Sequence, residues 1–153
     1  MEDILNDFYD SPVPASRLKR WLASFIDYLF CFLLTGIIQY FLDGRPIHGE
    51  IGMFDLEGLV RIGMLLIPWL LLLPGIETIN DGKTFGKAFF KIKAIKSDGS
   101  KIDFGRSIVR HLLDCIDFLP LAGILGLALT TNNKKAQRLG DRVAQTMVID
   151  ASK

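Results

Sequence analysis

The chain is poor in the residues from which soluble catalytic and metal sites are built. Its 153 residues include only two histidines and two cysteines. His48 and His111 stand far apart, and no HExxH or CxxC spacing assigns a metal. Cys31 and Cys115 both lie in apolar segments, where reduced thiols act as small hydrophobes, so no disulfide framework is expected. No nucleophile–base pair is apparent. The TFGK stretch at 84–87 lacks the second glycine and the Ser/Thr of a phosphate-binding loop. The expectation is a protein that is not an enzyme, with no catalytic residues and no cofactor. Net charge is only +1, so no global field argues for nucleic acid. A basic leader is missing too. MEDILNDFYD carries four acids and no base, which reads as an exposed acidic tail over residues 1–15, with a short helix docked through Ile4, Leu5 and Phe8. Residues 16–150 are then one membrane domain.

What the chain does have is long apolar runs. WLASFIDYLFCFLLTGIIQYFL, residues 21–42, makes about 33 Å of helix, enough to cross a bilayer core. Trp21 and Tyr40 stand near its ends, where amphipathic aromatics favour the interface. A second run, residues 62–79, spans about 27 Å and is interrupted by Pro68 and Pro74, each of which removes a backbone donor. Between the runs, residues 43–58 hold four acids against one arginine and read as a loop. Residues 80–105 hold six lysines against three acids. There FKIKAIK alternates apolar and basic residues, SDGS offers an Asp-Gly turn, and KIDF resumes the alternation. This predicts a β-hairpin with strands near 89–96 and 101–104, with QTMVID (145–150) as a candidate third strand.

Residues 106–131 are harder to assign. Arg106, Arg110, His111, Asp114 and Asp117 charge the first half, and Pro120 and Gly123 break the second. Lysine and arginine beside membrane segments stay cytoplasmic. Arg17, Lys19 and Arg20 place the N-terminus inside, and Lys134, Lys135, Arg138 and Arg142 place the C-terminus inside. Region 106–131 must then cross an even number of times or not at all. The reading is an all-α multi-pass cell-membrane protein. It has two full transmembrane helices, a C-terminal broken helical hairpin turning at Pro120, and a small cytoplasmic β-hairpin or three-stranded sheet. A plain third crossing is the alternative.

The first run contains one acid, Asp27, and an acid at the centre of a membrane helix costs about 2.5–3.5 kcal/mol on insertion scales. At 100° per residue, Arg20, Ala23, Ser24, Asp27, Cys31 and Thr35 form a small, polar stripe. Leu22, Phe25, Leu29, Phe32 and Leu33 form a bulky one that faces lipid. Arg20 and Asp27 lie about 10 Å apart along the axis, so each needs its own partner. Arg20 at the membrane edge is expected to meet Asp141. Asp27 is expected to meet Arg110 or water, since Arg106, Arg110, Asp114 and Asp117 make a charged stripe of their own. Arg20, Asp27, Arg110, Asp114 and Asp141 are thus the candidates for a transport site or for structural ion pairs.

RWLASFID, TFGKAFFKIKAIKSDGS and RLGDRVAQTMV, in that order, resemble the RDD family of small integral membrane proteins, over roughly residues 16–149. The resemblance makes Arg20, Asp27 and Asp141 the family's arginine and two aspartates. It implies an integral membrane protein involved in transport, some members being reported as cation/proton antiporters. Two functions follow as expectations. One is a small transporter or subunit exchanging a monovalent cation for protons through Asp27, in a homo-oligomer that encloses enough volume. The other is a non-transporting scaffold that binds a protein partner or anionic membrane lipids through its basic cytoplasmic face.

Overall fold

Ser16 starts the first helix: its side-chain oxygen accepts from the Lys19 N–H at 3.3 Å, satisfying one of the donors a helix start leaves open. In the computed structural model, which describes residues 12–43, 56–117 and 137–152, this helix is α1, Arg17–Asp43. Residues 1–11 of the expected tail with its docked helix, most of the 43–58 loop, and the helical hairpin expected beyond Asp117, including its turn at Pro120, lie outside the described residues; the end of that tail is not all exposed, since Ala15 is buried.

The second helix begins as α2, Leu56–Leu70, and carries Pro68 inside it. It then widens into a π-helical turn, Leu71–Gly75, and resumes as α3, Ile76–Ile79. Pro74 sits in the widened turn. A proline has no N–H to give the carbonyl four residues back, and a π-turn absorbs that lost bond without ending the helix. The Thr78 hydroxyl donates to the Pro74 carbonyl at 2.7 Å. Two stretches, Arg17–Phe41 and Gly58–Ile79, are long and apolar enough to cross a membrane.

A tight turn comes next. Asp81 and Gly82 both have positive φ, and the Gly82 carbonyl accepts from the Ala94 N–H at 2.8 Å. An added Cβ at Gly82 would stand 2.0 Å from the Ala94 carbonyl oxygen, so only glycine fits. Helix α4, Phe85–Phe89, is capped by Thr84 and leads into strand β1, Ile92–Lys96. Asp103 caps α5, Phe104–Asp117, through the Arg106 N–H at 2.9 Å. After the undescribed stretch come α6, Leu139–Val143, and β2, Thr146–Asp150.

The sheet corrects one expectation. β1 pairs antiparallel with β2, from Ile92 opposite Asp150 to Lys96 opposite Thr146. The SDGS turn does form, but the residues after it pair with β1 at one point, Lys101 opposite Ile95. Asp103 diverts the chain into α5 before a second strand can grow, and the apolar Met147 and Val148 of β2 cover β1 instead. The free edge of β2 takes the residues ahead of α1: the Ala15 N–H donates to the Val148 carbonyl at 2.9 Å and the Asp150 N–H to the Val13 carbonyl at 3.0 Å. Ala15, Ala23, Ile92, Ala94, Ile102 and Val148 form a core between the sheet and the start of α1. Farther along, Tyr28 and Leu73 pack between the two long helices with Trp21 and Trp69.

The amphipathic reading of α1 holds. Arg20, Ala23, Asp27, Cys31 and Thr35 are buried, while Phe25, Leu29, Phe32 and Leu33 are exposed on the other side; Ser24 of the first stripe and Leu22 of the second are half-buried. α4 packs on this buried stripe so tightly that a Cβ at Gly86 would meet the Ala23 carbonyl oxygen at 2.2 Å. Gly36, also in α1, has nothing within 4 Å of such a Cβ. Gly86→Ala is therefore expected to lower the yield of folded, monodisperse protein in detergent several-fold. Gly36→Ala should leave it unchanged or raise thermal stability, by about 1 kcal/mol at most.

Candidate functional site

The polar residues of α1 face a cluster assembled from four other helices. Arg20, in the second turn, makes an ion pair with Asp141 of α6. The other Asp141 oxygen, Oδ1, lies 3.2 Å from Arg110 Nη2 on α5. The Arg138 N–H donates to Asp141 Oδ2 at 3.1 Å, so the same carboxylate caps α6. α6 reaches this place because Gly140 lies against the α5 backbone, where a Cβ would stand 2.9 Å from the Arg110 carbonyl oxygen. The Arg138 guanidinium donates to the Ser24 hydroxyl of α1 at 3.0 Å.

Glu77 of α3 is the second anchor and is fully buried. Lys87 of α4 pairs with its Oε1, and the Ser107 hydroxyl of α5 donates to its Oε2. Arg110 Nη1 lies 3.6 Å from Oε1, an attraction beyond hydrogen-bond reach, and His111 Nε2 lies 3.4 Å from Oε2. His111 turns its other nitrogen, Nδ1, toward Asp114 Oδ2 at 3.1 Å, and the same oxygen accepts from the Tyr28 hydroxyl of α1 at 2.9 Å. Between these groups lies a cavity of about 20 Å³, room for a single water, bordered by Arg20, Asp27, Arg110, His111 and Asp141.

Asp27 is held differently. Its Oδ2 accepts from the Thr84 hydroxyl at 2.5 Å and its Oδ1 from the Gly86 N–H at 2.7 Å. Both donors belong to the start of α4. No cation lies within salt-bridge distance of Asp27 among the described residues.

The five residues picked out in the sequence all border the cavity: Arg20, Arg110 and Asp141 are joined by ion pairs, and Asp114 meets His111 instead. The expected partnership of Arg20 with Asp141 forms. That of Asp27 with Arg110 does not: Arg110 is engaged by Asp141 and Glu77, and the donors of α4 reach Asp27 instead. Glu77, Lys87, His111 and Thr84 were missed. Glu77 carried the same signal as Asp27, a lone acid in an apolar run, and Lys87 and Thr84 lie in the TFGK stretch.

The geometry defines a class first: a small protein with two apolar helices long enough to cross a bilayer, tied at one end by a buried network of alternating charge. The chain belongs to the RDD family, whose model matches residues 14–145. Family membership and the two apolar helices together point to a membrane protein. No curated protein and no solved structure matches the chain.

Two groups outside the spanning helices respond to the cluster. Burial acts most strongly on Asp141 and opposes its charge, but Arg20, Arg110 and Arg138 outweigh it and hold the carboxyl below the usual range. Burial likewise opposes the His111 charge, yet Glu77 and Asp114 on either side outweigh it and raise the imidazole above its ordinary value. A raised histidine contributes stability that is complete below its unfolded pKa, about 6.5, and is lost as pH rises through the higher folded value. Thermal unfolding in detergent should accordingly show wild type ahead of His111→Gln at pH near 6. That lead should shrink toward alkaline pH. A lead independent of pH would show that His111 stays neutral between Glu77 and Asp114.

Proposed function

We propose that this protein is a small membrane transporter, or a subunit of one, that exchanges a monovalent cation for protons through Asp27, and that it is not an enzyme. One observation carries this reading: Asp27 is a buried carboxylate on a spanning helix that no ion pair claims among the described residues. Glu77 and Asp141 are each compensated by cations that a proton or metal ion would have to displace. Asp27 takes its hydrogen bonds from neutral donors instead, with Lys87 acting on it from beyond ion-pair distance. The Thr84 hydroxyl can donate to the carboxylate or accept from the protonated acid, so either protonation state keeps a partner. An ionisable group at such a position is the default candidate for an ion or proton pathway.

The topology we assign has both termini in the cytoplasm. Residues 13–15 hydrogen-bond to β2, which supports a common side for the two ends, and the basic residues flanking α1 and α6 support the cytoplasmic side. Two spanning helices enclose little volume, so the transporting unit is a homo-oligomer. The scaffold reading draws on a different observation: the other buried acids are tied down, which suits a rigid platform presenting lysines to a partner or to anionic lipid.

Asp27→Asn separates the two. Asparagine keeps the shape and still accepts from the Gly86 N–H, so folded yield should stay within about twofold of wild type, well inside the range of a lost neutral hydrogen bond. In sealed vesicles with a trapped pH dye, wild type should couple an imposed sodium or potassium gradient to a pH change, and the variant should fall to the protein-free rate. Undiminished coupling by well-folded Asp27→Asn would remove Asp27 from the mechanism, and no coupling by wild type would favour the scaffold.

A further inference from the structure

KTFGKAFFK, residues 83–91, places a lysine outside each end of α4. The helix has two unlike sides. Gly86 and Lys87 are buried, the first against the Ala23 backbone and the second on Glu77. Phe85 and Phe89, four residues apart and so on one face, are 51% and 75% exposed. That face continues onto α1. The Phe85 ring centre lies 5.4 Å from that of Phe30, and Phe30, Leu33 and Ile37 follow one another along an exposed side of α1. The aromatic side of α4 is thus an extension of the surface that a bilayer must cover on the spanning helix. Lys83 and Lys91 pair with no carboxylate among the described residues, whereas the nearby Lys93 and Lys101 both turn to Asp81.

We propose that α4 is an interfacial anchor for anionic phospholipid, with Phe85 and Phe89 among the acyl chains beside α1 and Lys83 and Lys91 on the headgroup phosphates. Aromatics continuous with a spanning helix, and lysines at both ends of the same short helix, match a headgroup-and-chain ligand. A second copy packed face to face on α4 would set lysines against lysines. The inference stands whether or not the protein transports.

The test uses full-length protein carrying Phe89→Trp in a Trp21→Phe, Trp69→Phe background, reconstituted in vesicles of phosphatidylcholine and phosphatidylglycerol. Residue 89 is exposed and its ring meets Phe90 edge-on, a contact that another aromatic ring can keep. Lipid brominated on the acyl chain should quench the new tryptophan, and aqueous acrylamide should not. At equal mole fraction, brominated phosphatidylglycerol should quench more than brominated phosphatidylcholine, and Lys83→Gln with Lys91→Gln should abolish the difference. The preference lost is about fivefold per lysine, the attraction of one surface lysine to anionic headgroups. If the tryptophan background does not fold, a nitroxide on Phe89→Cys in a Cys31→Ser, Cys115→Ser background, compared for collision with oxygen and with a water-soluble nickel chelate, gives the same answer. Quenching by acrylamide would place α4 in water and overturn the proposal. Protection from both quenchers would mean that protein covers α4, and would overturn it too. Equal quenching by the two lipids would remove the anionic headgroup.

Discussion

A carboxylate shared by two buried arginines holds one end of this protein together. Asp141 stands between Arg20 of α1 and Arg110 of α5, and all three side chains are nearly inaccessible to solvent. Taking one such ion out of water costs several kcal/mol, and a single partner seldom offsets it. The chain of alternating sign, Arg20 to Asp141 to Arg110 to Glu77 to Lys87, gives each interior ion a partner of opposite sign on either side. Those five residues come from α1, α6, α5, α3 and α4. None of the five elements can leave without stranding a charge.

The rest of the fold brings these elements within reach. The sheet pins the residues ahead of α1 to β2, and β2 comes directly after α6, so Arg20 and Asp141 are delivered from the same side. The close contact of Gly140 with α5 and of Gly86 with α1 lets short helices approach until the side chains touch. Asp27 lies one step away, hydrogen-bonded to α4 by the Thr84 hydroxyl and the Gly86 amide and outside ion-pair distance of any cation among the described residues. A network of this kind adds little net stability, yet it punishes the loss of any member, which makes it a device for fixing one arrangement. Asp27 takes its hydrogen bonds from neutral donors and stands outside that chain of ion pairs.

Much of α1 was legible because one helix must divide its surface between lipid and protein, and a run with Arg20, Ala23, Asp27, Cys31 and Thr35 at helical spacing has one small, polar side. The link from Arg20 to Asp141 came from placing two charges at the same membrane edge. The partner of Asp27 was not legible, because the groups that satisfy it include a backbone N–H, which every residue but proline carries and no motif search registers. Glu77 escaped notice beside Pro74, in a segment read mainly for its hydrophobicity. The hairpin was overextended because alternation in KIDF resembled a strand, while Asp103 acts there as a helix cap. Local pattern fixes neither outcome. The competition between a capped helix and one more ladder of hydrogen bonds is settled by what β2 offers from about fifty residues away.

The central claim is that Arg20 and Asp141 are energetically coupled through a shared buried environment. A double-mutant cycle with Arg20→Met and Asp141→Asn, read by unfolding in a fixed detergent, measures this directly. Each single change should cost about 3–5 kcal/mol by stranding a buried charge. The double variant should cost at least about 2 kcal/mol less than the two added together, since Arg20 no longer needs the carboxylate. Additivity within about 0.5 kcal/mol would show that the two residues act independently and would contradict the account.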